Sequence, residues 1–266
     1  MEKITFSFGE NWKNYSTTVD EKSIKMAQND IKEKIEKATG NTEYNFTNKT
    51  VLDIGCGSGI HSLSFFLWGV QSIYSFDYDI NSVEATIAMR EHISTGGNWH
   101  IEQGNILDDA YVDSLPCSDI VYSWGCLHHT GNMWKALDNA QSRLNKNGLW
   151  FLSIYQGVET YKKDLFTKKT YNKLPLPGKK IMEAFQILKA MAACVIIGKE
   201  SPFKWNKKDK RGMTVYYNIV DWLGGLPYEV ASPAQIKEYG EKNGLELLLT
   251  DPKDACCIYI FRRKGV

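Results

Sequence analysis

The six cysteines, Cys56, Cys117, Cys126, Cys194, Cys256 and Cys257, form no CxxC pair and follow no regular spacing. Zinc-ribbon and disulfide-framework architectures are thereby excluded, and a reducing, cytoplasmic setting is expected. An excess of charge of one sign is also lacking: 32 Lys and Arg face 31 Asp and Glu, for a formal charge of +1. With no bulk positive field to hold a polyanion, duplex DNA is excluded as a partner. The N-terminal MEKITFSFGENWKN has no apolar core of signal-peptide length, and the longest apolar-leaning stretch, 181–198, is interrupted by Glu183, Gln186 and Lys189. Neither a signal peptide nor a spanning helix is expected. The rest is ordinary globular composition, 43% hydrophobic and 24% charged over 266 residues, which rules out a disordered tail or a fibrous repeat.

From Lys49 onward, short β-branched or aromatic runs alternate with longer amphipathic ones. That alternation builds a parallel sheet covered by helices. It predicts strands near 50–54, 72–77, 98–103, 118–124, 148–155, 245–250 and 256–262, with helices near 59–68, 80–93, 132–145 and 232–243. Ser232-Pro233 supplies a cap and a first-turn proline for the last of these helices. Residues 1–48 stand outside the alternation: Phe6, Phe8, Trp12 and Tyr15 precede a Lys/Glu-rich helix around 20–38, as an N-terminal cover would. Residues 156–230 form an insert. Within 155–215 there are 14 Lys and Arg against 5 Asp and Glu, a local balance of +9 that leaves −8 for the remainder.

Four segments at the carboxyl ends of predicted strands carry the chemistry. VLDIGCGSGI, 51–60, is a buried strand followed by Asp53, Gly55, Gly57 and Gly59 and then a helical run. Its glycines permit a sharp turn and close ligand approach, and the helix N-terminus offers unpaired N–H groups. The spacing departs from the dinucleotide fingerprint, which places its third glycine where this chain has Ile60. SIYSFDYD, 72–79, ends at Asp77, where a carboxylate can accept two hydroxyl hydrogen bonds from a ribose. IEQGNIL, 101–107, presents Asn105 beside an adenine, and DIVYSWGCLHHTGNMWKAL, 119–137, enters a turn rich in small, aromatic and imidazole groups.

In order and spacing these segments resemble the motifs of class I S-adenosylmethionine-dependent methyltransferases. Beyond 50–155, FSFGENWKNYS, HHTGNMWKALDNA and RGMTVYYNIVDWLGGLPYEVASP resemble the bacterial ubiquinone-biosynthesis-like (3-demethylubiquinone 3-O-methyltransferase-like) group. The resemblance implies a single Rossmann-like α/β domain over 1–266. Its seven-stranded, mostly parallel sheet has an antiparallel last strand and helices on both faces, with a cover over 1–48, a cofactor core over 49–155, a basic helical insert and acceptor lid over 156–230, and the last helix and strands over 231–266. It further implies that Asp53, Gly55, Cys56, Gly57 and Gly59 line the methionine and ribose side of S-adenosylmethionine. Asp77 would hold the ribose hydroxyls, Tyr78 would flank the adenine, Asn105 and Ile106 would contact its edge and face, and Ser123 and Trp124 would border the sulfonium. Asn105 replaces the Asp often found in this motif, yet its amide carbonyl still meets an amino group.

Methyl transfer from a sulfonium is an in-line displacement, and a hydroxyl acceptor benefits from a base as its proton leaves. His128 and His129 are the candidate bases. Adjacent in sequence, they cannot both point into one site; His128 is expected to assist deprotonation and His129 to satisfy backbone groups at the turn. Tyr216, Tyr217 and Trp222 are expected to wall an acceptor pocket in which Asp221 and Glu229 orient hydroxyl or amine groups, with Trp12 and Tyr15 closing it from the N-terminal side. No metal site is expected, because the two histidines lack helical i,i+4 spacing and no carboxylate completes a ligand set.

The basic insert supports two readings. Lys162, Lys163, Lys168, Lys169, Lys173, Lys179 and Lys180 precede the apolar-leaning segment and Lys204, Lys207, Lys208, Lys210 and Arg211 follow it, the last two outside the residues the structure describes. They form either a solvated face or the rim of a helix lying peripherally on an anionic membrane or over a lipid-linked substrate. The expected activity is methyl transfer to a small-molecule hydroxyl, on a sugar, quinone-like or lipid-linked precursor. Two rivals remain: N-methylation of an amine or RNA, and a noncatalytic cofactor-binding module. The N-P-P-Y or D-P-P-Y motif expected for base amino groups is absent from the fourth-strand end.

Overall fold

The computed structural model describes residues 6, 8–16, 19–93, 97–198, 200–208, 214–253 and 255–265. Seven strands make one sheet: β1 (Thr50–Ile54), β2 (Ser72–Asp77), β3 (Trp99–Gln103), β4 (Ser118–Trp124), β5 (Leu144–Tyr155), β6 (Leu245–Lys253) and β7 (Cys256–Arg263). Their order is β3-β2-β1-β4-β5-β7-β6, parallel from β3 to β5, with β7 antiparallel to both β5 and β6. The sequence therefore places all seven strands and the antiparallel closure correctly. β5 starts earlier than expected, because Leu144 pairs with Ser118 and a register shift before Ile120 absorbs the extra residues. Asn147 takes a φ of 60° within that stretch, so NKNG continues the strand instead of ending it.

Helices α1 (Phe8–Ser16), α2 (Glu21–Thr39), α3 (Ile60–Leu67), α4 (Ile80–Ile93), α5 (Asp109–Ser114) and α6 (Met133–Ser142) precede β5 or lie between strands. Helices α7 (Tyr161–Lys173), α8 (Leu176–Ile196), α9 (Val215–Gly224) and α10 (Pro233–Lys242) follow it. The central strands are apolar on both faces because each face is covered by helices. Alternate residues divide between two cores: Leu52, Val121 and Trp150 pack with α6 and α10 residues such as Leu137 and Ile236. Val51, Ile120 and Phe151 pack with Ile31 and Ile35 of α2 and Leu63 and Phe65 of α3. Ser232 closes a capping box with Gln235 at the start of α10.

The insert folds as three helices tied by buried polar groups. Glu183 of α8 is buried and accepts hydrogen bonds from Tyr171 of α7 (2.9 Å), Tyr216 of α9 (3.1 Å) and Lys180 (2.8 Å). Lys168, expected on a solvated face, is instead fully buried; this corrects the sequence reading at that position. Its ammonium lies over the rings of Tyr155 (5.4 Å), Trp222 (4.9 Å) and Tyr228 (4.8 Å) and donates to the Trp222 carbonyl. One turn on, Asn172 Nδ2 donates to the Gly224 carbonyl (2.8 Å). The surrounding lysines 162, 163, 169, 173 and 180 are exposed, so a run of like residues hides one that faces inward by helical phase.

Burial lowers the Lys168 pKa from its ordinary 10.5 to about 8, against the pull of Asp221 and Asp164. Between these two values the unfolded chain binds the proton and the folded chain does not, so stability rises with pH from about 8 to 10.5. Lys168→Met is expected to abolish that rise, measured as the difference in urea-unfolding free energy between variant and native protein across this interval.

Candidate active site

A cavity of about 630 Å³ opens at the carboxyl ends of β1, β2, β3 and β4, within the roughly 300–1,000 Å³ range of small-molecule sites. The turn from β1 into α3 forms its floor. Gly55, Gly57 and Gly59 all take positive φ, and Gly59 caps α3 in the left-handed region. A Cβ on Gly55 would lie 2.5 Å from Cys126, so this glycine lets the β1 and β4 ends approach.

Two carboxylates hold the turn. Asp53 is buried and accepts a short hydrogen bond from Ser62 of α3; Ser62 meets Ser75 at 2.7 Å, which accepts from Trp99 Nε1 at 2.9 Å. This inward chain fixes the β1–α3 junction, and Asp53 does not line the cavity. Asp77 does, while accepting from the Gly57 amide (3.0 Å) and the Asp79 amide (2.9 Å). Burial raises Asp53 to about 7, with Ser62 opposing and Asp77 adding to the rise. Burial raises Asp77 to about 6 against its backbone donors.

Gly55, Asp77, Tyr78, Asn105, Ile106 and Trp124 line one half of the cavity. Asn105 Oδ1 accepts from the Leu107 amide at 2.9 Å, shaping the turn after β3. Cys56 lies behind the loop, where Thr86 of α4 donates to its sulfur (3.3 Å) and to the Gly57 carbonyl (3.2 Å). Ser123, expected beside the sulfonium, alternates to the opposite side of β4, is fully buried and accepts from Trp150 Nε1 at 2.9 Å.

The N-terminal segment closes over this floor. Phe6 N–H donates to the Leu226 carbonyl (3.1 Å), Gly9 N–H to Asp79 Oδ2 (2.9 Å) and Asn11 Nδ2 to the Tyr217 carbonyl (3.5 Å). Trp12 lies over Gly57, its ring about 3.3 Å from where a Cβ would stand. The side chain of Tyr15 lies outside the described residues.

Opposite the glycine turn, Phe6, Phe8, His129, Asp221, Leu226 and Pro227 wall the other half. The two histidines exchange their expected places. His128 is buried off the cavity against the Tyr155 ring at 4.2 Å, and burial, with His129 and Lys168 nearby, pushes its pKa well down. His129 borders the cavity, its ring 4.7 Å from Phe8. Its Nδ1 donates to the Pro227 carbonyl at 2.6 Å, which leaves Nε2 as the lone-pair nitrogen of the neutral ring. Burial and the Lys168 charge lower its pKa to about 3.

Of the expected acceptor walls, only Asp221 and Trp12 line the cavity. Tyr216 is engaged with Glu183, and Trp222 covers Lys168. Tyr217 packs beside Tyr216, with ring centroids 5.7 Å apart. Glu229 Oε2 accepts the Met133 amide at 3.0 Å, at the start of α6. In place of these four, the structure brings Leu226 and Pro227, from the end of the same segment, against Phe6 and Phe8. The density of aromatics at both places was visible in sequence; their pairing depends on the Phe6–Leu226 backbone bond across the whole chain.

This combination of fold and strand-end site defines a class I S-adenosylmethionine-dependent methyltransferase. A family model described as a methyltransferase domain matches residues 25–194, and the chain belongs to that family. Segments resemble ribosomal protein L11 methyltransferases, at 37% identity over 67 residues with that of Shouchella clausii and 29% over 107 residues with that of Lachnospira eligens. These matches cover 24% and 39% of this chain and only 20% and 32% of those relatives. The fold is similar to that of a putative S-adenosyl-L-methionine-dependent methyltransferase from Methanococcus maripaludis, with TM-score 0.55, 14% identity and coverage of 100% and 98% of the two chains. It is also similar to that of magnesium protoporphyrin IX methyltransferase from Synechocystis with bound SAH, with TM-score 0.51, 15% identity and coverage of 92% and 89%.

The residues present fit the cofactor S-adenosylmethionine. A half-buried carboxylate at the β2 end suits vicinal hydroxyls, Tyr78 and Ile106 offer faces to a base, and the Trp124 ring suits a cation. Both Asp53 and Asp77 bind protons more tightly when folded than the ordinary carboxyl does in the unfolded chain. Stability of the cofactor-free protein is therefore expected to fall as pH rises from about 4 to about 7. Asp53→Asn is expected to flatten that fall, measured by thermal unfolding across the same pH range.

Proposed function

We propose that this protein transfers the methyl group of S-adenosylmethionine to a hydroxyl oxygen of a small-molecule acceptor. The observation that carries the reading is the division of one covered cavity into a polar half around Asp77 and an aromatic half around His129. Asp77, Asn105, Ile106, Tyr78 and Trp124 would hold the cofactor, with Gly55 and Gly57 admitting it against the backbone. When bound, it supplies an electrophilic methyl group on a positively charged sulfur.

The chain's own residues then orient and dry the acceptor. Phe6, Phe8, Leu226 and Pro227 exclude water and favour an apolar body. His129 Nε2 accepts the acceptor's hydroxyl proton, while the Nδ1–H bond to Pro227 keeps the ring in that tautomer. Burial, and then the nearby Lys168 charge, keep the imidazole neutral, which leaves its lone pair available but makes it a weak base. Asp221 takes a second hydroxyl or polar group of the acceptor. The cover formed by α1 favours a small molecule over a protein chain such as that named in the ribosomal relatives.

Asp77→Ala is expected to weaken S-adenosylmethionine and S-adenosylhomocysteine binding by about 10- to 100-fold in calorimetric titration. Native protein that is folded yet binds neither would overturn the reading. In an acceptor screen of alcohols, phenols and amines, His129→Gln is expected to lower turnover of the best substrate by about 10²- to 10⁴-fold with cofactor affinity retained. Unchanged turnover would remove the base role, and preference for amines would replace the hydroxyl acceptor.

A further inference from the structure

Helix α8 is inverted relative to an ordinary surface helix. Of its 21 residues, Glu183 alone is buried, while the apolar side chains point outward. Ile181 is 71% exposed, Phe185 57%, Leu188 62% and Ile196 77%, and Val195 is exposed as well. Their spacing, with exposed Ala184 and Ala192 between them, puts them along one stripe of the helix. At its C-terminal end the stripe continues into exposed Ile197, and Phe203 lies in the short turn Pro202–Lys204 that packs against α8. Ten of the fourteen large exposed apolar side chains among the described residues fall between Val158 and Phe203, so the patch belongs to the insert. Single exposed apolar residues need no explanation; a continuous stripe this long does.

The same helical unit carries many exposed lysines, and Lys189 lies over the Phe185 ring of the stripe at 4.5 Å. Lys162, Lys163, Lys169 and Lys173 of α7, Lys180 and Lys189 of α8, and Lys204 and Lys207 beyond it are all exposed. Among the described acidic groups of the same region, Glu183 is buried among its hydroxyl and ammonium partners, Asp164 accepts from Thr160 and Tyr228, Glu200 pairs with Lys207, and Glu159 is exposed, so exposed lysines outnumber exposed carboxylates.

We propose that the exposed face of α8 and these exposed lysines form a docking surface for an anionic lipid bilayer. The helix lies in the plane of the interface, its apolar stripe entering the boundary between headgroups and acyl chains and its lysines reaching back to anionic headgroups. Charge complementarity selects this occupant, since a second copy joined through the same face would set lysines against lysines. Docking does not span the bilayer, for no helix of the described residues is long and apolar enough to cross one. The surface is joined to the acceptor half of the cavity, because Glu183 ties α8 to α9 and α9 carries Asp221 on the cavity wall. The inference goes beyond the methyl-transfer reading and does not depend on it.

The test is flotation of the full chain with vesicles of phosphatidylcholine alone or containing about 30% phosphatidylglycerol, at about 0.05 M and 0.5 M salt. Binding to the anionic vesicles at low salt is expected, reduced at least about tenfold at high salt or on neutral vesicles. Two variants at exposed positions are expected to lose it to a similar degree: Phe185→Ser/Leu188→Ser/Ile196→Ser and Lys163→Glu/Lys169→Glu/Lys173→Glu. Native circular dichroism and unaltered calorimetric titration with S-adenosylmethionine show that each variant is folded. No binding at low salt, binding that persists in the apolar variant, or a native dimer that the apolar variant dissociates while vesicles are ignored would each overturn the proposal.

Discussion

The hydrogen bond from the Gly57 amide to Asp77 joins the glycine turn of β1 to the end of β2 and sets the shape of everything above it. A turn built on left-handed glycines has few side chains of its own to hold it, so the neighbouring elements supply most of its contacts. Asp77 does this from the ligand side and Asp53, through Ser62, from the core side. Both carboxyls sit where burial penalises their charge, and both remain because they are paired with donors fixed by the sheet. Thr86 of α4 and Trp12 of α1 then close on the same few backbone atoms. The Asp77 side of the cavity is thus built on strand ends and short helix starts, as precise positioning requires.

The His129 side of the cavity is built differently. Its walls come from Phe6 and Phe8 and from 221–227, segments far apart in sequence and joined by the backbone bond from Phe6 to Leu226. What holds 221–227 in place lies behind it: Lys168 and Asn172 of α7 bind the carbonyls of Trp222 and Gly224, and Tyr228 binds Asp164. A buried lysine is costly, and here three aromatic faces and two nearby carboxylates offset part of the cost. The same charge adds to burial in lowering the pKa of His129, the imidazole that the loop orients. The insert consequently ties the 221–227 wall of the cavity, the surroundings of His129 and an apolar outer surface into one helical unit.

How much of this was legible depended on the range of the interactions involved. Strands β1 to β7 were readable because burial on both faces demands continuous apolar runs, and the glycine turn because positive φ leaves few residue choices. Asp77, Tyr78, Asn105, Ile106 and Trp124 followed from their place at strand ends. Ser123 was misplaced by one step of strand alternation, and the two histidines by the direction in which a short turn after β4 leaves the sheet. Lys168 looked like its neighbours, since composition does not carry helical phase when no apolar stripe marks the inward face. Tyr216, Trp222 and Glu229 were recognisable as unusual, but their partners Glu183, Lys168 and Met133 lie on other elements.

The sequence by itself determined the sheet, the glycine turn and the carboxylate at the end of β2 that lines the cavity, because each is a local demand that one strand, turn or helix start satisfies alone. Only the tertiary structure decided which histidine faces the cavity, which lysine is buried, and which aromatic residues wall the acceptor. Those outcomes depend on where distant segments pack, and on a buried charge that finds its partners only after three helices have come together.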